Sequence, residues 1–324
     1  MTQTAVLFAR MLRYRVAAMI WLFLLLGAAH PAGIDAFSPA LALATLALAA
    51  SYVAATSVND LADEQIDLVN HPRDSGRPLV SGDATRGELR RLHLVATAVA
   101  LVAAVPLGGL PLALVALSLG IGVAYSVRPI ALSYRTWLAP LVLSVAYVAI
   151  PYALGAEATG REWGPADLVL GGALLCLFLA RIVLKDFRDR VGDRLYGRPT
   201  LLLRFGKRAT CAVSAGSLAL GGALLCVAMP PLALFVAAFA AAIGWMLLRL
   251  LRAPEGREEQ VAIGLGARMG NGLLVGVLVW LLLAGAGAPG GQRLFALLLV
   301  GAAFGAGFFA LARRPADVVL GYKG

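Results

Sequence analysis

The chain has 324 residues, of which 60% are Ala, Val, Ile, Leu, Met, Phe, Trp, Tyr or Cys and only 14% are charged. Soluble domains contain about 25% charged residues, so this chain has too few charges to cover a soluble surface. The composition therefore excludes a soluble enzyme, a disordered scaffold and a secreted disulfide-rich domain, and it indicates a polytopic membrane protein. The net charge of +10 is typical of cytoplasmic loops here and does not predict a nucleic-acid partner.

Ten apolar runs follow one another along the chain, and each is long enough, or nearly so, to cross the ~30 Å hydrocarbon layer as a helix. They cover residues 16–33, 39–58, 92–109, 111–127, 138–156, 166–184, 209–228, 230–248, 271–288 and 294–312. Tight Gly/Pro turns join the third run to the fourth and the seventh to the eighth, which predicts two helical hairpins. The expected fold class is all-α, a polytopic transmembrane helical bundle.

The positive charges predict the orientation of this bundle. If the N-terminus is cytoplasmic, nearly all of the 28 Lys and Arg residues fall in inner segments. The outer segments then hold only Arg161 and Arg293, and Arg181 lies within the sixth run. Lys and Arg concentrate on the cytoplasmic side of membrane proteins. We therefore expect a multi-pass protein of the cell membrane with both ends inside.

Two acidic clusters lie at the inner ends of the second and sixth runs. Their aspartates are Asp60, Asp63 and Asp67 in NDLADEQID and Asp186, Asp189 and Asp193 in DFRDRVGD. Both sets have the spacing i, i+3, i+7, which places three carboxylates on one face of a helix. Such carboxylates repel one another, and Mg²⁺, which prefers oxygen ligands, relieves that repulsion. A solvated helix end is the alternative, but two clusters of equal spacing on one side of the membrane favour metal binding.

Four segments around these clusters resemble motifs of the UbiA superfamily of intramembrane prenyltransferases. NDLADEQID is similar to the family's NDxxDxxxD, and KDFRDRVGDRLYGRPTLLLRFG to its second aspartate-rich motif. RPLVSG at 77–82 resembles RPLxSG, and YSVRP at 125–129 is a weaker match. The resemblance covers about residues 10–290 and implies nine helices around a central cavity, with the aspartates at its cytosolic mouth. We therefore expect a UbiA-like domain over 1–290, and an extra C-terminal helix with a cytoplasmic tail over 291–324.

The resemblance implies an enzyme that transfers a prenyl group from a prenyl diphosphate to a lipophilic, often aromatic, acceptor within the bilayer. It implies two Mg²⁺ ions, one on each set of three aspartates, and it makes Asp60, Asp63, Asp186 and Asp189 the catalytic residues. The residues expected to bind the diphosphate are Asn59, Arg73, Arg77, Arg128, Arg135 and Lys185. Alternatively, each of these arginines is an ordinary cytoplasmic charge with no part in binding. This alternative is weakest for Arg77, because Arg77 belongs to the RPLVSG motif.

Other activities remain open at this point. Similar proteins cyclise a prenyl diphosphate without an acceptor, and others transfer a phosphoribosyl group to a polyprenyl phosphate. A cation-coupled transporter is a different class, but its coupling sites usually lie near the midplane of the membrane rather than at one face. His71 is expected to be a solvated loop residue, and Arg181 to pair with Asp186, the substrate or a structural partner. The acceptor, the prenyl length and the oligomeric state are not predicted.

Overall fold

The computed structural model describes residues 3–30, 38–72, 74 and 76–322. Every regular element in these ranges is helical, as the sequence predicts. The helices are α1 (Gln3–Met11), α2 (Tyr14–Ala29), α3 (Pro39–Asn70), α4 (Pro78–Ser81), α5 (Arg86–Ala104), α6 (Gly109–Ser126), α7 (Leu138–Ser144), α8 (Ile150–Ala158), α9 (Pro165–Ile182), α10 (Asp186–Leu195), α11 (Leu201–Ala228), α12 (Ala233–Arg252), α13 (Arg257–Gly285), α14 (Gly290–Ala312) and α15 (Pro315–Tyr322).

In the part of the chain that the structure describes, nine helical segments are long and apolar enough to span a membrane, and α1 with α2 makes a tenth. Each of the ten predicted runs coincides with one of them. The run at 294–312 is α14, a separate helix, since the turn at 286–289 separates it from α13. The bent pair α1 and α2 meets at 71°, so the chain enters the first span at a sharp angle.

Three helices begin or end well outside their predicted apolar runs. Helix α3 continues through the first acidic cluster to Asn70, α11 begins at Leu201, and α13 begins at Arg257. The extensions carry charged residues, which an apolar-run criterion leaves out. Several of these charges form ion pairs with other segments, among them Glu64 with Arg86 and Lys207 with Glu259.

The buried centre of the bundle is α3, which packs against α5, α6 and α10. The apolar window of α3 is 67% buried, whereas that of α14 is 6% buried. Helices α2 and α8 cross very closely, because a Cβ atom at Gly27 would overlap the Tyr152 carbonyl and one at Gly155 would overlap that of Leu24. Small residues permit such approaches between membrane helices. This contact fixes the position of α2, which lines the cavity described below.

The sequence predicts the second acidic cluster at the inner end of the sixth span. In the structure, this cluster instead occupies a separate helix, α10. Helix α9 ends at Ile182, and α10 begins at Asp186 after the turn at 183–185. The sequence of α10, DFRDRVGDRL, is too charged to continue into hydrocarbon. The position of the second cluster therefore depends on contacts of α10 with its neighbours.

Candidate active site

Both acidic clusters border one cavity of about 300 Å³. Its charged end is lined by Asp63 and Asp67 of α3 and by Asp189 and Asp193 of α10. Asp60 and Asp186 are buried, at 2% and 7% exposure, and lie on the same helices beside this end. The other walls are mainly apolar and aromatic and include Met19, Ile20, Leu48, Tyr52, Ile121, Tyr125, Leu143, Tyr147 and Phe178. The structure thus brings together two motifs that are more than a hundred residues apart in sequence.

The first cluster is neutralised by arginines from two other segments. Both carboxylate oxygens of Asp60 accept hydrogen bonds from Nη2 of Arg13, at 2.6 and 2.7 Å. Arg77 donates to Asp67, and its Nη1 lies 3.5 Å from Asp60. The amide of Asn59 donates to Asp63 at 3.0 Å. Arg77 and Asn59 therefore stand in the cavity beside the carboxylates, as a diphosphate-binding role requires.

One guanidinium links the two clusters. Arg198 Nη2 donates to Asp63 Oδ1 at 2.5 Å, and its Nη1 lies 3.5 Å from Asp193 Oδ1. Arg198 is 7% exposed, and its guanidinium lies over the Tyr134 ring at 5.1 Å from the centroid. Neither Arg198 nor Arg13 is among the residues expected from the sequence to lie at the site. Arg198 lies inside the second motif, whereas Arg13 looks in sequence like any charge before a first span.

The second cluster has mixed partners. Lys185 Nζ lies 3.2 Å from Asp186 Oδ1, and Nε2 of His71 lies 2.9 Å from Asp189 Oδ1. His71 is only 6% exposed. The expectation of a solvated loop histidine is therefore wrong, because His71, directly after α3, is buried against α10. A lone histidine in a polar loop gives no sequence pattern from which that contact could be predicted.

The carboxyl groups of α10, which lies outside the spans, differ in their pKa values. Burial raises the pKa of Asp193 to about 7, and Lys185 and Arg198 offset this only in part. Burial likewise raises the pKa of Asp186 despite Lys185. For Asp189, Arg188, His71 and Lys185 outweigh burial and hold the pKa below its ordinary value. Asp186 and Asp193 are thus the carboxyls of α10 whose ionised forms are disfavoured by burial, and a nearby cation would favour those forms.

The donor set fits a magnesium ion that shares its coordination with substrate. Among the described residues, no three His, Cys, Asp or Glu side chains are grouped so that they could hold a metal by themselves. Oδ1 of Asp193 is buried and has no hydrogen-bond partner. Mg²⁺ keeps several waters and takes one or two carboxylates together with substrate phosphates. The carboxylate oxygens of this site match that requirement.

The remaining predicted diphosphate ligands are placed differently. Lys185 lines the cavity. Arg128 and Arg135 are exposed and do not line it, and the Arg128 guanidinium lies 5.6 Å from the Tyr134 ring centroid. Their role stays a prediction, and Arg73 lies outside the described residues. Arg181 lines the cavity and donates to Asn271 Oδ1 of α13 at 2.6 Å, which makes Asn271 one of its partners.

Comparison with known proteins gives the class that this fold and site define. The profile of the UbiA prenyltransferase family matches residues 16–272, which is more than half of the chain. The chain therefore belongs to the UbiA prenyltransferase family, and its enzyme class is that of an integral membrane prenyltransferase.

Particular relatives agree with this assignment. The chain is 28% identical over 229 residues to the digeranylgeranylglyceryl phosphate synthase of Methanothermobacter thermautotrophicus, a match covering 68% of this chain and 78% of that protein. It is 27% identical over 208 residues to the bacteriochlorophyll synthase 34 kDa chain of Chloroflexus aurantiacus, covering 62% of this chain and 65% of that one, slightly under two thirds of its length. The substrates in the names of these relatives are the substrates of those proteins.

Solved structures confirm the fold. A UbiA homologue from Archaeoglobus fulgidus bound to GPP and Mg²⁺ superposes with a TM-score of 0.68 at 15% identity, covering 85% of this chain and 99% of that one. The apo structure of a homologue from Aeropyrum pernix K1 gives 0.60 at 18% identity, covering 85% and 97%. The predicted UbiA-like bundle is confirmed.

Proposed function

We propose that this protein transfers a prenyl group from a prenyl diphosphate to a lipophilic acceptor in a Mg²⁺-dependent reaction. The observation that carries the proposal is the cavity itself, where carboxylates of both clusters share one charged end and aromatic side chains form the wall beyond. A diphosphate ester with an apolar tail has this same division between a charged and an apolar part. The names of the relatives support the proposal, since they too describe synthases.

The two clusters, Asp60, Asp63 and Asp67 and Asp186, Asp189 and Asp193, would hold one ion each, with one or two carboxylates of a cluster and oxygens of the diphosphate as ligands. When bound, Mg²⁺ neutralises the charge that develops on the diphosphate as the allylic C–O bond breaks. The arginines that now bridge the carboxylates, Arg77 and Arg198, face the same space and can turn their guanidinium groups to phosphate oxygens. Lys185 adds a third cation at the cavity wall.

Aromatic side chains suit the wall of a chamber in which an allylic cation forms. The Tyr147 ring lies 5.9 Å from the Tyr52 ring and 5.9 Å from the Phe178 ring, both edge to face. Tyr147 belongs to a π-helical turn, 145–149, between α7 and α8, and such turns are frequent at functional sites. The rings exclude water, and their faces stabilise positive charge. The acceptor then attacks the cation in place of water and forms the new bond to the prenyl carbon, and the released diphosphate accepts the proton that the acceptor loses.

A direct assay tests this function. The purified protein is incubated with prenyl diphosphates of several lengths and with lipophilic acceptors, and diphosphate release and lipid products are measured with and without EDTA. We expect release that requires both Mg²⁺ and an acceptor. Release without an acceptor would indicate a cyclase, and a phosphoribosylated lipid would indicate the third activity. No release of diphosphate under any condition would contradict the proposal.

We further propose that the charged end of the cavity faces the cytoplasm. The excess of Lys and Arg in the loops at that end supports this orientation. Cysteines introduced in place of the exposed Arg257 and Glu162, in a chain without its three native cysteines, should react with an impermeant reagent from opposite sides. Arg257 should react from the cytoplasm and Glu162 from outside. The reverse pattern would place the site on the other face of the membrane.

A further inference from the structure

The two residues that end and follow α3 touch the helix that carries the second cluster. Oδ1 of Asn70 accepts a hydrogen bond from the backbone N–H of Gly192 at 2.7 Å. His71 Nε2 lies 2.9 Å from Oδ1 of Asp189, one turn earlier on α10. The His71 N–H donates to the carbonyl oxygen of Asp67 at 2.8 Å, which fixes the histidine against the first cluster. One short segment thus contacts both clusters.

Gly192 shows how closely the two helices meet. A Cβ atom at this position would lie 2.6–2.8 Å from the side-chain atoms of Asn70, closer than real Cβ contacts occur. Glycine destabilises a helix interior relative to alanine, so its presence in the ten-residue helix α10 needs a tertiary reason. The reason is space, because the Asn70 amide occupies the volume that a side chain at position 192 would fill.

Helix α10 needs such contacts because it is not rigidly continuous with a span. A turn at 183–185 separates it from α9, so α9 does not fix its separation from α3. Arg190 ties the far side of α10 to Glu259 of α13, at 3.0 and 3.2 Å. That contact holds α10 against α13, whereas Asn70 and His71 contact α10 from the end of α3.

We propose that Asn70 and His71 are positioning residues that set the separation of the two aspartate clusters, and hence how one diphosphate is shared between them. This inference rests on the proposed function, because it gives the separation its meaning. Residues that orient metal ligands typically change metal affinity about 10–100-fold when they are replaced. Asn70 lines the edge of the cavity, but its hydrogen bond goes to the backbone of Gly192, and His71 contacts Asp189, so in this proposal both residues act through α10.

The experiment is a reciprocal substitution at Asn70 and Gly192. Gly192→Ala should raise the Mg²⁺ concentration for half-maximal turnover about 10–100-fold, because its methyl group pushes Asn70 and α10 apart. Asn70→Ala removes the obstructing amide, so the double variant should need less Mg²⁺ than Gly192→Ala alone. Gly244→Ala is the matched control, a helical glycine with nothing within 4 Å of its added Cβ, and it should leave the Mg²⁺ requirement unchanged.

A second readout does not depend on turnover. The rise in unfolding temperature on adding MgCl₂ with inorganic diphosphate should be smaller in Gly192→Ala and in His71→Ala than in the wild-type protein. It should be partly restored in the double variant and in His71→Gln, which keeps a side-chain donor for Asp189. Asn70→Ala and His71→Gln add no bulk, so they remain informative if Gly192→Ala does not fold.

The outcomes separate this inference from the function on which it rests. A wild-type protein that is not stabilised by Mg²⁺ with diphosphate would contradict the metal–diphosphate chemistry itself. A second outcome would overturn only the positioning role. In it, Mg²⁺ with diphosphate stabilises the wild-type protein, but the Mg²⁺ requirement of the double variant rises by the product of the rises in Gly192→Ala and Asn70→Ala. The same conclusion would follow if His71→Ala and Asn70→Ala kept the wild-type Mg²⁺ requirement.

Discussion

The two aspartate clusters have the same spacing, but the chain supports them in different ways. The first lies on α3, a helix of 32 residues that forms the buried centre of the bundle. The second lies on α10, a helix of ten residues that is separated from its span by a turn. The first cluster is thus positioned by the helix itself, whereas the second is positioned by side chains from α3, α13 and the segment after Asn70. Equal motifs in sequence therefore depend on unequal structural support.

The largest expected effect comes from removing a carboxylate of either cluster. Asp63→Ala and Asp189→Ala should each lower kcat by about 10³-fold or more, since electrostatic stabilisation of the leaving diphosphate is lost. If the clusters act as one unit, the double variant should be hardly worse than either single variant. Turnover at saturating Mg²⁺ serves as the measurement. A near-wild-type rate for either single variant would show that the clusters do not share the reaction.

A smaller effect is expected at the arginine that bridges the first cluster. A hydrogen bond between charged groups contributes about 1.5–3 kcal/mol, so Arg77→Lys should lower kcat/KM by about 10–150-fold. The ammonium keeps the charge but cannot reproduce the two-point geometry of a guanidinium. Arg257→Gln, an exposed change at the start of α13, is the control and should have little effect. Wild-type kcat/KM in Arg77→Lys would make Arg77 merely a cytoplasmic charge.

The difference in structural support can be tested with one substitution that removes a contact of α10 and one that removes a contact of α3. Glu259 is 1% exposed and accepts from Arg190 of α10 and from Lys207 of α11. Glu259→Gln should raise the Mg²⁺ requirement several-fold, because it removes the charge that pairs with Arg190 and so weakens the attachment of α10 to α13. Ser51→Ala removes the partly buried hydrogen bond of α3 to Ser118 of α6, yet α3 is long enough to keep its cluster in place. Equal Mg²⁺ requirements in the two variants would contradict the comparison.

The sequence predicts those parts of the site that depend on local pattern. The ten helical runs follow from hydropathy, and both triads of aspartates follow from their spacing. The partners of those aspartates do not, because each pairing joins distant segments. Arg13 and Asp60 are 47 residues apart, His71 and Asp189 are 118 apart, and Arg198 and Asp63 are 135 apart. No periodic pattern encodes such contacts, and one more arginine among many cytoplasmic arginines looks ordinary.

A buried aspartate outside the clusters, Asp167, has a different set of partners. Asp167 is 3% exposed and accepts from both Nη atoms of Arg161, from the Tyr152 hydroxyl and from the N–H of Gly164. Fixed donors surround this carboxylate, so it joins α8 to α9 and has no need of an added cation. Within the clusters, by contrast, Arg77 is shared between Asp60 and Asp67, and Arg198 is shared between Asp63 and Asp193. Such shared arginines can turn to a diphosphate, whereas the donors around Asp167 all serve one carboxylate.

The smallest effect on catalysis is expected at the far side of the bundle. Helix α14 packs mainly on α13 and α15, and none of its residues lines the cavity. With only 6% of its apolar window buried, it faces lipid, in keeping with our proposal that residues 1–290 contain the whole site. Truncation after Pro289 should therefore keep kcat and the Mg²⁺ requirement near wild type.

The same truncation should lower the unfolding temperature by a few degrees, because Phe304 then no longer packs on α13 beside Gly272 and Arg268 loses the ring beneath it. Assay of the truncated protein in lipid, together with its stabilisation by Mg²⁺ and diphosphate, separates the two effects. A truncated protein that still binds Mg²⁺ with diphosphate but does not turn over would show that α14 contributes to the reaction, and the boundary of the catalytic unit would then lie beyond residue 290.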